Sequence, residues 1–140
     1  GRGGRVISVT LTPHTGLAGM AHSSAARAAV ENLMKVLAIE WARYKINLVA
    51  VAPGVVDTDT FRSKYPPEVV DFWTHNTLAG RLVAPEEVAQ AVAFLASPGG
   101  DSISGSVINV DAAHDVHQSP FPPRGLALQD GSLPAEARRT

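Results

Sequence analysis

A chain of 140 residues, 45% of them apolar, is long enough for one domain or part of one and carries enough apolar side chain for a core. Its formal net charge is -1, with 12 basic residues scattered among 13 acidic ones, which excludes the one-signed field that nucleic acid or an anionic membrane would need. Cysteine is absent, so disulfides and thiolate metal sites are excluded, and no apolar run approaches the roughly 18 residues that cross a bilayer.

Residues 6–11 are short, β-branched and preceded by a Gly-rich turn, which predicts a strand. Pro13, Gly16 and Gly19 mark a loop. A long helix is expected over 23–44, because Val30, Leu33, Met34, Leu37 and Trp41 recur at helical spacing and the alanines between them favour helix. Residues 46–52 are apolar except at Asn47 and do not alternate, the pattern of a strand buried on both faces of a parallel sheet. Pro53 and Gly54 stop it. A loop rich in Asp and Thr follows, then a weak helix over 66–75. Pro85 opens another helix, with Glu86 and Glu87 in the first turn to complement its dipole, and Val88, Val92 and Leu95 as its inner stripe. Residues 106–110 form a last strand. Beyond about residue 113 periodicity is lost and prolines scatter, so 114–140 reads as a partly disordered tail.

The order strand, helix, strand, helix, strand predicts an α/β fold, a Rossmann-type parallel sheet with crossover helices. Three strands make a thin sheet, and the first would sit at an uncovered edge.

Four segments carry a family resemblance: Arg5 to Thr10; Ser23 to Leu33; Val51-Ala52-Pro53-Gly54 with Val55, Val56, Asp57 and Thr58; and Pro85 through Ser97 to Gly105 and Asp111. Their order and spacing, over about residues 3–113, resemble the C-terminal half of the short-chain dehydrogenase/reductases. The resemblance implies a domain over 1–113 that uses NADP (or NAD) and a small-molecule substrate. It places Pro53, Gly54, Val56 and Thr58 beside the nicotinamide, and the long helix in an interface between like subunits. No G-x-G-x-x-G run follows the first strand, so the dinucleotide would bind only with a missing N-terminal half.

The catalytic positions differ from the family's. Arg27 stands where the family has Lys, Ser23 four residues earlier where it has Tyr, and Thr10 where it has Ser. Arg27 and Ser23 share a helix face. A serine hydroxyl is a far weaker acid than a phenol, whose pKa is already about 10. Arg27 can bond ribose hydroxyls, but its planar fork does not replace an ammonium. Thr10, Ser23 and His22 are thus the candidate catalytic residues, and Arg27 joins the cofactor set. The run from Met20 to Ala28 is similar to the corresponding helix of peroxisomal trans-2-enoyl-CoA reductases, which implies acyl-CoA substrates; Glu31 stands where that group has a tyrosine.

The expected function is therefore that of a partial oxidoreductase, with a non-catalytic association module as the alternative. No signal-peptide pattern follows residues 1–5, so the cytoplasm is the expected location. His114, Asp115 and His117 cluster, but a Pro-rich context without cysteine argues against a metal site. Phe72 and Trp73 are expected to cap a pocket or pack in the core, and Arg62 is a candidate for coenzyme A phosphates.

Overall fold

In the computed structural model, which describes residues 3–116, β2 (Ile46–Pro53) is the middle strand of a parallel sheet between β1 (Gly4–Val9) and β3 (Ser106–Val110). Ile7 lies opposite Val49, and Val51 opposite Ile108. Four α-helices, α1 (Ala21–Trp41), α2 (Asp59–Lys64), α3 (Pro67–His75) and α4 (Pro85–Ala96), and two short 3-10 turns complete the described chain.

The unalternating apolar run of β2 has a direct cause. Leu48 and Ala50 face α1, where they pack with Met34, Leu37, Ala38 and Trp41. Val49 and Val51 face the opposite side, against Leu95, Val88 and Val92 of α4. A strand covered on both faces has no polar position to spare. Leu48 and Val51 are fully buried, which stabilises the fold by about 2 kcal/mol each. Trp41 is structural.

α4 starts as its sequence predicts. Pro85 occupies the first turn, and the Glu87 carboxylate accepts from the Ala84 amide at 2.8 Å. The Arg81 guanidinium forks onto the same carboxyl, which, with that amide, holds its pKa at about 2.

Three boundaries move. The first strand runs over Gly4–Val9, not 6–11, although the Thr10 and Thr12 amides still donate to Val51 and Pro53 of β2. The long helix becomes α1 plus a 3-10 turn at Ala42–Tyr44, closed by Lys45 in the left-handed region. The Asp/Thr-rich stretch is not all loop: it contains α2, whose first turn is capped by the Thr58 hydroxyl, accepting from the Phe61 amide at 3.1 Å. Six residues are too few to show a periodic apolar face. β1 is an edge of the sheet among the described residues, and Val9 is exposed. No helix among them is long and apolar enough to cross a membrane.

Candidate active site

In open α/β sheets ligands bind beyond the carboxyl ends of the strands. Here those ends carry Thr10 after β1, Pro53 and Gly54 closing β2, and Asp111 after β3. Gly54 fits tightly. Its amide donates to the Val110 carbonyl at 3.1 Å, and a Cβ there would lie 3.1 Å from the Asp111 Cα and 3.2 Å from its carbonyl oxygen.

The turn beyond Gly54 leaves backbone groups available. Val56 pairs with Val83 in a parallel bridge whose two hydrogen bonds use the Val55 carbonyl and the Asp57 amide. The N–H and C=O of Val56 itself point away from that bridge. Thr58 sits just beyond as the α2 cap.

One stripe of α1 supplies the polar side of the site. Ser23, Arg27 and Glu31 recur every four residues, and the same face continues through Met34, Ala38 and Trp41 into the core. Ser23 is buried, and Arg27 donates to its hydroxyl and, at 3.4 Å, to its carbonyl. The expected Ser23–Arg27 proximity is present. Thr10 is buried and donates through Oγ1 to Glu31 Oε1 at 2.7 Å, with the Val51 carbonyl at 3.3 Å. His22 is exposed in the first turn of α1.

The imidazole that reaches this group is that of His14, which the sequence reading passed over. Its Nε2 lies 3.2 Å from Glu31 Oε1 and its Nδ1 2.5 Å from Asp115 Oδ2, while its backbone amide donates to Asp115 Oδ1 at 2.6 Å. Asp115 is itself held, its amide donating to Asp111 Oδ2 at 2.8 Å. The hydrogen bond to Asp115 raises the His14 pKa, burial opposes it, and the charges of Glu31 and Asp115 add to the rise. Burial pushes the Asp115 carboxyl up, but the ring and amide of His14 outweigh it and leave the pKa lowered. No local spacing announces this cluster, because its members come from the loop after β1, from α1 and from the turn after β3.

A cavity of about 230 Å³ opens beside it, lined by Leu11, Pro13, Ala25 and Ala28 together with His14, Arg27 and Glu31. A larger cleft of about 750 Å³ lies by α2 and the start of α4, but the charges of its two arginines are matched. Arg62, the candidate for coenzyme A phosphates, forks onto Asp57 at 2.5 and 2.7 Å, and Arg81 onto Glu87. Phe72 is exposed and meets Trp73 edge-on; Trp73 in turn meets the His114 ring, 5.2 Å between centroids. Of the clustered residues in the expected tail, His114 and Asp115 are half-buried, and His117 lies outside the described residues, as do 118–140. Among the described residues no three acidic or histidine side chains are grouped to hold a metal ion.

Residues 1–112 match the family model described as Enoyl-(Acyl carrier protein) reductase. The chain is 38% identical over 93 residues to the galactitol 2-dehydrogenase (L-tagatose-forming) of Cereibacter sphaeroides, a match covering 66% of the chain and 37% of that enzyme. It is 37% identical over 107 residues to a probable 2,4-dienoyl-CoA reductase of Bacillus subtilis, covering 74% of the chain and 42% of the relative. With the acetoacetyl-CoA reductase of Synechocystis the identity is 36% over 115 residues, covering 81% and 48%. The chain thus spans less than half the length of these relatives. A parallel sheet with a Pro-Gly turn at its central carboxyl end, matched by the family over four fifths of the chain, places this protein in the short-chain dehydrogenase/reductase family.

Proposed function

We propose that this chain forms the nicotinamide and substrate side of an NAD(P)-dependent oxidoreductase that acts on an oxo or enoyl group of an acyl thioester or a related compound. The observation that carries the reading is the turn at the end of β2. Gly54 is pressed on Asp111, and the free-facing N–H and C=O of Val56 offer one donor and one acceptor, the complement of a primary carboxamide. A nicotinamide held there would supply the hydride. Thr58 caps the helix that follows the same turn, and Arg27, anchored on Ser23, would bond the ribose hydroxyls.

The acyl-thioester assignment is supported by the similarity of the Met20 to Ala28 run to enoyl-CoA reductases and by two relatives whose names carry a CoA substrate. The galactitol relative keeps a simple hydroxy or oxo compound in view. The first half of the α1 stripe, Ser23, Arg27 and Glu31, is polar where a purely structural helix would be apolar, which disfavours a non-catalytic module.

Joining the chain behind the N-terminal residues of the Synechocystis relative tests this. The hybrid should oxidise NADPH or NADH with acetoacetyl-CoA or an enoyl-CoA, and Arg27→Ala should weaken dinucleotide binding more than Thr10→Ala does. A folded hybrid that binds neither dinucleotide would overturn the reading.

A further inference from the structure

We propose that His14, oriented by Asp115, gives the proton to the substrate at the cavity it shares with Glu31 and Arg27. This rests on the oxidoreductase reading above.

Among the described residues the site holds no phenol, and its hydroxyls are aliphatic and weakly acidic; Ser24, on the cavity wall, accepts from the Leu17 amide at 3.3 Å. Ser23 is held by Arg27, and Thr10 donates to Glu31. His22 is exposed at the start of α1. His14 therefore supplies the one N–H at the cavity wall that titrates near neutrality.

Its orientation is over-determined. Asp115 takes both the ring at Nδ1 and the backbone amide of His14, and is fixed in turn by Asp111 and, at 3.3 Å, by the Asn109 side chain. A proton on Nδ1 is thereby assigned to Asp115, which leaves Nε2 facing Glu31 and the cavity. A carboxylate that orients a histidine in this way fixes its tautomer and strengthens it as a proton carrier. The charged groups that face the ring are Asp115 and Glu31, with Arg27 across the cavity and Asp111 behind Asp115. Two acids at contact against one base favour the imidazolium. The cavity, at about 230 Å³, admits the reacting end of a substrate and not a whole coenzyme A thioester.

The step balances for an oxo substrate. A reduced nicotinamide, when bound, would supply the hydride for the new C–H bond at the carbonyl carbon and would itself become oxidised. The C=O π pair moves onto oxygen. That oxygen takes the Nε2 proton as the N–H bond breaks, and neutral His14 regains a proton from water through its partly exposed edge, 34% of the side chain.

Two measurements test this. In the full chain, NMR of the His14 ring should show titration above the usual histidine range, and Asp115→Asn should lower it. In the hybrid reductase, His14→Gln should leave dinucleotide binding in place and reduce kcat by about 100- to 10,000-fold. The kcat of the unaltered hybrid should fall as pH rises through the His14 titration, and Asp115→Asn should move that fall to lower pH, which a merely structural contact would not do. A His14→Gln hybrid with unaltered kcat and pH profile overturns the proposal while leaving the oxidoreductase reading intact. A hybrid that neither binds nor oxidises a dinucleotide overturns both.

Discussion

His14 and Asp115, 101 positions apart, hold each other twice: ring nitrogen to Oδ2 at 2.5 Å and backbone amide to Oδ1 at 2.6 Å. The pair ties the loop after β1 to the turn after β3 across the carboxyl end of β2.

That tie predicts a pH dependence of stability. The folded-state pKa of His14 is raised, so its contribution is complete below the unfolded value of about 6.5 and is lost as pH rises through the folded value. The folded-state pKa of Asp115 is lowered, so its contribution is present above the unfolded value of about 3.9 and is lost as pH falls through the folded one. Urea midpoints should therefore be highest between the two titrations, and His14→Gln should flatten the decline on the alkaline side. An unchanged alkaline limb in that variant would show that the pair contributes nothing to folding.

Thr10→Val should cost about 1–3 kcal/mol, because it removes a buried donor from a carboxylate oxygen that is itself buried. Equilibrium urea unfolding measures it. A loss well below 1 kcal/mol would mean that Glu31 finds another donor, with His14 the nearest at 3.2 Å.

Gly54→Ala should destabilise by about 1–3 kcal/mol, since the added methyl meets main-chain atoms of Asp111 that cannot swing aside. The same change should weaken nicotinamide binding by shifting the turn that presents Val56. Thermal unfolding and amide chemical shifts at 53–56 check both effects.

The outer face of α1 carries Leu33, Val36 and Ile39, the last of them 80% exposed, and β1 leaves a sheet edge open among the described residues. Such surfaces favour self-association. Light scattering should find dimers or larger species at micromolar concentration, and Ile39→Lys should shift them toward monomer. A stable monomer before any substitution would rule this interface out.

Fold and site were legible in the sequence to different depths. Leu48 to Ala52 announced a doubly covered strand because every position is apolar, and Pro85 with Glu87 announced a helix start because the cap chemistry is local. Ser23 and Arg27 could be paired from a four-residue spacing alone. The contacts of His14 could not: Glu31 and Asp115 reach it from two other elements, and only the sheet order β1-β2-β3 brings those elements to one end. The Val56–Val83 bridge is hidden for the same reason, being a non-local pairing of single residues. The helix α2 was missed because a cap and six residues carry little periodic signal.

The turn proposed to bind the cofactor would take the nicotinamide half of the dinucleotide and not its adenosine half. Titrating the isotopically labelled full chain with reduced nicotinamide mononucleotide, and separately with adenosine monophosphate, tests it directly. The nicotinamide fragment should move the amide resonances of Gly54, Val55, Val56 and Thr58, and adenosine monophosphate should leave them in place. Shifts produced equally by both, or confined to Gly4, Arg5 and Asn47 at the opposite end of the sheet, would contradict it.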